Sequence, residues 1–418
     1  MKKKIAVVAL TGILAAGPAF ASGYRIPEQS LNSTALSGAY AANTPAADAS
    51  YYNPANMSWL DNTWQTEASL TWIHLSSVEY KDNTLASRNS GSRSEDFAMP
   101  NLHVVSPEYN QFRFGLSVVY PYGLSKRWDS AFPKTTAEEF TLKTYELNPT
   151  VSYKINNKLS IGGGVRAIYA AGVVKSNGTI PLPAPFNVTT ISRDMDGDTT
   201  EYGYNLALTY RPIENLSLAA TYRSKIDLDI EGDARLTSSI NGASYSGGTS
   251  VSVPAPAVLT LATAYTCNSS KTTVEFTYDK TFWNAYDKLD FNYSANIVDA
   301  LGVLQAAFDN PKAKSWSNSE AYRIGLTHKC TDRLTTMIGF AIDKTSVPDQ
   351  TLGFELPDSD AKIYSLGARY QCSENLLLGL AYLYDEKESR TLTNAGGING
   401  TFDNSAAQLV TAGLQYRF

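Results

Sequence analysis

The sequence predicts a transmembrane antiparallel β-barrel of about 14 strands, with an N-terminal segment, the hatch, inside its lumen. Three observations support this prediction. The chain begins with a secretory leader, and its last ten residues alternate between apolar and polar side chains. Similar segments recur along the chain, joined in turn by short turns and by long polar loops. That succession is typical of the hairpins of an outer-membrane barrel.

The first 21 residues predict a signal peptide. Lys2–Lys4 are basic, Ile5–Ala16 are apolar, and Ala19–Ala21 form a small-residue site, so we expect cleavage after Ala21. The apolar run is too short for a membrane anchor, and no later stretch is long enough for a transmembrane helix. Without its three lysines the chain carries 32 basic and 40 acidic residues, a net charge of −8. This acidity argues against a nucleic-acid partner.

The last ten residues, Leu409–Phe418, predict a membrane-spanning strand. One face carries apolar side chains and the other mainly polar ones, and the chain ends in an aromatic residue. The apolar face would contact lipid and the polar face the lumen, while closure of the barrel satisfies every backbone group. With the signal peptide, this strand predicts a multi-pass protein of a bacterial outer membrane.

Turn lengths orient the predicted barrel. Short turns such as Asn156–Lys158 and Lys329–Arg333 belong on the periplasmic side, and long polar stretches such as Lys175–Thr199 and Asp233–Ser250 are expected to be outer loops. The strands between them number about fourteen. The three cysteines fall in periplasmic turns that are about 10 Å apart, too far for disulfides.

The stretch Ser37–Leu60 has small residues, two prolines and no long apolar run, so it predicts compact irregular backbone. We therefore divide the chain into a signal peptide (1–21), a hatch inside the barrel (22–60) and the barrel itself (61–418). A barrel that contains such a segment is expected to be a gated pore.

Few side chains could support catalysis. The three histidines, His74, His103 and His328, are far apart in sequence, and a lipase would need one of them beside a serine and an acid. No His/Cys cluster has the spacing of a metal site. We expect neither an enzyme nor a cofactor.

Several blocks carry a resemblance to a known family. They are Asn53-Pro54-Ala55 after an Ala/Asp-rich lead, Pro100–Pro107, Leu147–Leu159, Thr221–Asp233, Ala321–Leu326 and Asp343–Tyr370. In their order they resemble the FadL-type long-chain fatty acid transporters (OMPP1/FadL/TodX), which include aromatic-hydrocarbon channels. The resemblance covers nearly the whole mature chain. Asn56 and Ser346 depart from it, standing where the family often has glycine and proline.

The resemblance implies passive transport of hydrophobic molecules, above all long-chain fatty acids. The ligand would first be captured at outer loops and then bound in an interior pocket. Movement of the hatch at Asn53, Pro54 and Ala55 would follow, and then lateral release. The alternative within the family is a channel for aromatic hydrocarbons or other neutral hydrophobes; a general porin and an outer-membrane lipase are further alternatives. The expected partners are hydrophobic small molecules, outer-membrane lipid and lipopolysaccharide, around a monomer.

Cations are the candidates for binding a carboxylate. Alternation directs five of them into the lumen: Arg166, Arg223, Lys225, Arg323 and Arg369. They would either pair with acids such as Asp48, Glu146 or Glu275, or hold a substrate, for which Arg166 and Arg323 are the candidates. The resemblance adds Lys314, at the position of a carboxylate-binding lysine. The partnering arginine falls at Ser176, with Lys175 next to it.

Two outer loops are unexpectedly apolar. One is Thr179–Val188, and the other carries apolar side chains at helical spacing, Ile297, Leu301, Leu304 and Phe308. They predict either a helix packed on the barrel rim or an external groove that first captures a hydrophobic molecule.

A kink is expected at Tyr120, Pro121, Tyr122, Gly123, Leu124 and Ser125. Pro121 removes a ladder donor and Gly123 permits unusual backbone angles, although a closed barrel has no edge to place a proline on. The chain should bend inward and leave a lateral opening, as the fatty acid members do at the matching block, with Asn in place of this proline. The alternative is that Pro121 and Gly123 merely begin an outer loop.

Overall fold

The computed structural model describes residues 23–183, 185–240, 242–299 and 301–418, so the predicted signal peptide lies outside the described residues. Within them, fourteen antiparallel strands close into one barrel, which confirms the predicted fold class and strand number. In chain order the strands are β1 (Gln65–Leu75), β2 (Glu95–Val105), β3 (Phe112–Val119, continued by Gly123–Arg127), β4 (Glu139–Lys154), β5 (Leu159–Pro181), β6 (Val188–Ile213), β7 (Leu216–Arg223, continued by Ile226–Ser238), β8 (Ser244–Ala255, continued by Val258–Cys267), β9 (Thr272–Thr281), β10 (Ser319–Lys329), β11 (Leu334–Asp343), β12 (Ala361–Gln371), β13 (Leu376–Lys387) and β14 (Ala406–Arg417).

The outer surface of the barrel is a band of apolar side chains. Leu366 and Leu380 are more than half exposed, and Trp72 and Leu414 are exposed as well, while the polar Gln415 beside Leu414 is buried. An apolar band of this size around a soluble protein would be costly in water, whereas it suits lipid. The predicted alternation of the last strand is therefore observed.

Two of the predicted outer loops are strands instead. β5 and β6 stay paired from Leu159↔Tyr210 up to Pro181↔Val188, and β7 and β8 stay paired as far as Thr237↔Ser244. The expectation of loops at Lys175–Thr199 and Asp233–Ser250 is wrong. Alternating polar residues can continue a ladder above the membrane because its backbone hydrogen bonds do not require an apolar face.

Three strands are interrupted part-way along their length. The breaks lie at residues 120–122 of β3, 224–225 of β7 and 256–257 of β8. The break in β7 reverses the facing of the following residue: Lys225 is exposed and pairs with Asp227, also exposed. The prediction that Lys225 points into the lumen is wrong for this reason.

The N-terminal segment, residues 23–60, is buried almost throughout and packs against inward-facing strand residues. It contains helices α1 (Leu31–Ala35) and α2 (Ala49–Tyr52) and a 3₁₀ turn (Pro54–Trp59). Glycines in the wall permit close approach: a Cβ on Gly339 would lie 2.2 Å from the backbone of Leu36. Any side chain there would displace the segment.

Smaller elements cover the outer end. Four short strands form one sheet, Glu79–Asp82, Ser90–Gly91, Arg390–Thr393 and Asn399–Asp403, and two others pair as Lys288–Leu289 with Lys312–Ala313. Phe291–Tyr293 adds to the edge of β8. The remaining helical pieces are α3 (Ala131–Ala137), the turns Ala86–Arg88 and Trp283–Ala285, and the π-helical Gln305–Asp309. Among the described residues, no helix has the length and apolar character needed to cross a membrane.

Candidate functional site

An apolar cavity lies inside the barrel on its outer side. Tyr24 of the N-terminal segment borders it, and most of its wall comes from the outer halves of β4 to β8, which direct apolar side chains inward there. The loops after β9 and β11 contribute the rest. Apolar strand residues in the lining include Phe140, Leu142, Val174, Met195, Ile230, Val251 and Val253.

None of these strand residues was singled out from the sequence. A readable signal exists, because Ile226, Leu228 and Ile230 are inward apolar residues in β7, where a water-filled lumen would have polar ones. A cavity with this lining suits a hydrophobic ligand better than hydrated ions.

Lys314, the carboxylate-binding candidate, does line the cavity, but it already has a partner. Its ammonium forms an ion pair with the Glu355 carboxylate, and both side chains are largely buried. Burial alone would raise the pKa of the Glu355 carboxyl; the nearby ammonium of Lys314 instead holds it below its ordinary value. Glu355 is therefore ionised, and the charge of Lys314 is neutralised. Glu355 was missed because it is remote from Lys314 in sequence.

Lys175 is directed away from the cavity. Its neighbours Val174 and Ser176 face inward, so Lys175 lies on the outer face of β5, where it pairs with Asp194 at 3.2 Å. The expectation that Lys175 helps to bind substrate is wrong, because alternation places it on the opposite side. The inward cation of this region is Arg193 of β6, whose Nη2 donates to Ser176 Oγ at 2.9 Å.

An apolar groove lies at the outer loops. Its lining includes Leu301 and Phe308 from one predicted apolar loop and Ile180 and Leu182 from the other. Ile297 and Leu304 are buried beneath it and do not line it. The groove and the rim packing expected from the sequence are thus both present, in different side chains of one loop.

The helix implied by the spacing of Ile297 to Phe308 is largely absent from the described part of the loop, where helical backbone covers only residues 303–309. Gly302 has φ +66°, which breaks the helix, and Asp299 accepts hydrogen bonds from the backbone N–H groups of Leu301 and Leu304. The apolar side chains from Ile297 to Phe308 are therefore explained by their packing in an irregular loop and not by one face of a continuous helix.

The third strand bends toward the N-terminal segment at Tyr120–Tyr122. The Ile26 N–H donates to Pro121 O, and the Gly123 N–H donates to Tyr24 O, each at 2.8 Å. The Gln29 amide binds both backbone groups of Tyr120: it accepts from the N–H at 2.7 Å and donates to the C=O at 2.9 Å. The N-terminal segment thus provides hydrogen bonds that the neighbouring strand does not.

Leu124 and Ser125 complete the predicted kink. Leu124 lines the cavity, and Ser125 donates to Glu95 of β2 at 2.6 Å. The described ladder between β2 and β3 runs only from Leu102↔Val118 to Val105↔Gly115. Counting upward in the same register places Glu95 opposite Ser125. The ladder between β2 and β3 is therefore interrupted between these points; we call this interruption, whose β2 side is formed by residues 96–101, the window.

The residues at Asn53, Pro54 and Ala55 fasten the N-terminal segment to the wall. The Asn53 amide donates to Ala41 O at 2.8 Å and to Thr209 Oγ1 at 2.9 Å, and its Oδ1 accepts from the Ala55 N–H at 3.1 Å. Pro54 opens the 3₁₀ turn, and Ser160 of β5 donates to Ala55 O at 2.9 Å.

The four arginines that alternation directs into the lumen are paired with acids. Arg166 and Arg223 both bind Glu146, Arg323 binds Asp279 and Asp343, and Arg369 binds Glu67. In the described part of the chain, neither Arg166 nor Arg323 lines the apolar cavity. The sequence predicts either that these arginines pair with acids or that they hold a substrate, and these contacts favour pairing with acids. Arg166 and Arg323 are not positioned to hold a ligand in that cavity.

The histidines lie in separate environments. His74 pairs with Asp96 at 2.9 Å near the outer end, and His328 contacts Thr272 in the periplasmic end of the barrel. His103 is fully buried between Ser117 and the backbone of Gln29. The serine beside His103 thus lies between the wall and the N-terminal segment.

An outer apolar groove, an inner apolar cavity and an interrupted membrane wall define a barrel that transports hydrophobic compounds across the outer membrane. The family model described as outer membrane protein transport protein (OMPP1/FadL/TodX) matches residues 12–418. The chain belongs to this family, as the resemblance implied, and it is an outer-membrane hydrophobic-compound transporter. The fold and family are those of transporters and channels, not of enzymes.

Three similar proteins illustrate the range of the family. The chain is 24% identical to a long-chain fatty acid transport protein of Escherichia coli O6:H1, over 96% of this chain and 95% of that one. The structure of a Pseudomonas aeruginosa FadL homologue superposes with a TM-score of 0.82 at 20% identity, covering 95% of this chain and all of that one. The Ralstonia pickettii toluene transporter TbuX gives 0.71 at 17% identity, covering 93% and 98%.

Proposed function

We propose that this protein takes up long-chain fatty acids by passive transfer through the barrel and releases them sideways into the membrane. The observation that supports this most is the succession of apolar surfaces. The outer groove is bordered by Leu301 and Phe308, the cavity by Phe140 and Val174, and the window by the interrupted third strand.

Lateral release follows from the cost of hydrating an acyl chain. Each CH₂ group transferred from water to an apolar phase gains about 0.8 kcal/mol. A ligand that leaves through the window enters lipid and keeps this gain, whereas one that leaves through the periplasmic end must enter water. Phe97 and Tyr120 lie partly buried beside the window, in a cluster with Ile26 and Met99.

Residues 22–60 act in this proposal as a hatch. Their fixed points at Asn53 and Gln29 are hydrogen bonds, and the segment borders both the cavity, through Tyr24, and the window, through Ile26. A ligand that displaces Tyr24 would loosen the contact with Pro121. The barrel works as a monomer surrounded by outer-membrane lipid and lipopolysaccharide.

A second candidate function is transport of neutral aromatic hydrocarbons. The pairing of Lys314 with Glu355 favours it, because this pair leaves the cavity without a net charge from those two side chains. The Ralstonia pickettii relative is a toluene transporter by name.

Uptake by cells tests the proposal. The protein is produced in a Gram-negative host that lacks its own long-chain fatty acid transporter. Entry of labelled oleate, methyl oleate and toluene into these cells is then measured. We expect saturable oleate uptake that is absent with empty vector. Uptake of toluene without oleate would favour the second candidate, and equal entry of small hydrophilic solutes would indicate a porin.

A further inference from the structure

We propose that Arg193 binds the carboxylate of the ligand and serves the outer groove and the interior cavity alike. The fatty acid would keep its headgroup at this guanidinium while its acyl chain passes from the groove into the cavity. This inference rests on the proposed function and names the residue that distinguishes an acid from a neutral ligand.

The first argument is the burial of an unneutralised cation. Arg193 is 3% exposed, and its hydrogen-bond acceptors are two uncharged oxygens, Ser176 Oγ at 2.9 Å and Thr136 O at 3.4 Å. Its Nε has no hydrogen-bond partner among the described residues. A buried charge is costly unless an anion accompanies it. Four other inward arginines, Arg166, Arg223, Arg323 and Arg369, each have a carboxylate partner, whereas Arg113 at the periplasmic end donates to the backbone carbonyl groups of Leu60, Asp61 and Ser106.

The second argument is position. On β6, Ile191 and Arg193 line the groove and Met195 lines the cavity, so Arg193 lies on the groove side of the boundary between the two compartments. Its guanidinium is 5.1 Å from the ring centroid of Phe308, which lines the groove. It is 5.6 Å and 5.3 Å from the rings of Phe140 and Phe291, which line the cavity. The acyl chain of a ligand can therefore lie in the groove or in the cavity while its carboxylate contacts the same guanidinium.

The third argument is the balance of charge. Lys314 is neutralised by Glu355 on the cavity side, while Lys312 adds a further cation on the groove side. Among the described residues, neither Arg193 nor Lys312 forms an ion pair, so both cations are available to an anionic headgroup. A guanidinium also presents two parallel N–H groups to a carboxylate, which the ammonium of Lys314 cannot do.

The neighbouring strand explains how the site is built. Ser176 and Arg193 are direct cross-strand partners in the β5–β6 ladder. The family resemblance implies an arginine at position 176; here the residue opposite Ser176 carries the guanidinium into the same layer of the barrel.

Binding measurements on purified protein in detergent test the assignment. Dissociation constants for oleate and for its methyl ester, which has the same chain without the charge, are compared in wild type, Arg193→Met, Arg193→Gln, Lys314→Met and Lys175→Met. A lost charge-assisted contact weakens oleate binding about ten- to hundred-fold in both Arg193 variants. Ester binding should change little. Lys175→Met, a nearby outward cation, should change neither ligand, and Lys314→Met should retain most of the preference for the acid.

Each contrary outcome is distinct. Equal loss of oleate and ester in both Arg193 variants, with the barrel folded, would show that Arg193 is structural and overturn the assignment. Loss of the acid preference in Lys314→Met alone would move the carboxylate to Lys314 and also overturn it. Wild type that binds neither ligand would overturn the proposed function and this inference with it.

Photolabelling tests the shared position directly. An oleate analogue with a diazirine next to its carboxyl should label peptides that contain Phe140, Phe291 or Phe308, and the Arg193→Gln variant should lose this labelling. A diazirine at the methyl end should label both the groove and the cavity. Headgroup labelling confined to the surroundings of Lys314 and Glu355 would contradict the proposal.

Discussion

Two seams of the barrel, only two strands apart, differ in how they are held. The seam between β14 and β1 is paired without interruption from Gln65↔Arg417 to Leu75↔Ala407. The seam between β2 and β3 keeps only the pairs from Leu102↔Val118 to Val105↔Gly115. An unpaired backbone N–H or C=O group is costly inside a membrane, so the backbone groups at the second seam need other hydrogen-bond partners. The N-terminal segment supplies them for β3, through Tyr24, Ile26 and Gln29.

The inward side chains follow the same division. Near the closed seam, Arg369 binds Glu67 at 2.5 Å, Asn32 at 2.7 Å and Gln415 at 3.2 Å, so wall and N-terminal segment form one polar network. Beside the window the side chains are mostly apolar, including Phe97, Met99 and Tyr120. The closed seam is therefore held by polar contacts, and the interrupted seam carries the apolar surface on which, in the proposed function, a hydrophobic molecule leaves the barrel.

The largest effect is expected from breaking the closed seam. Arg369→Met leaves Glu67 buried without its cation, which should cost about 3–5 kcal/mol. Unfolding in urea, followed by the gel mobility of the folded barrel, measures the loss. The double variant Arg369→Met/Glu67→Gln should recover part of it. An unchanged midpoint in the single variant would show that this network does not stabilise the barrel.

A smaller effect is expected from the segment that supports the interrupted seam. Gln29→Leu removes the partner of both Tyr120 backbone groups, and an unsatisfied buried group costs about 1–3 kcal/mol. The barrel should still assemble, because no wall-to-wall hydrogen bond is lost, but the rate of oleate uptake should change. The matched control is Gln415→Leu at the closed seam.

Gln415→Leu should leave the uptake rate unchanged when surface levels are equal. If both glutamine variants alter uptake to the same extent, the two seams are functionally equivalent and the comparison fails.

The sequence predicted the barrel well because its signals are local. Alternation in Leu409–Phe418 identifies the membrane face, and Pro121 marks the kink by removing a donor. Strand ends were predicted less well, since polar alternation above the membrane resembles a loop. Arg193 was overlooked because it lies in the stretch Lys175–Thr199, which was expected to be a loop and is a hairpin.

Long-range pairing accounts for the other differences. That Glu355 neutralises Lys314, and that Gln29 replaces a strand as the partner of Tyr120, depends on contacts between residues far apart in the chain. No local pattern indicates which acid meets which cation. Alternation therefore predicts the inward direction of all four lumen arginines correctly and fails at Lys225, but it does not predict which acid each arginine binds.

Closing the window with a crosslink tests the central claim most directly. When the register of the β2–β3 ladder is extended upward, Met99 lies opposite Pro121. The variant Met99→Cys/Pro121→Cys is therefore made in a background in which Cys267, Cys330 and Cys372 are serine. Oleate uptake is measured with the engineered disulfide formed and again after reduction. We predict that uptake is lost in the oxidised protein and restored by reduction. Full uptake with the disulfide closed, verified by mass spectrometry, would contradict lateral release through this window.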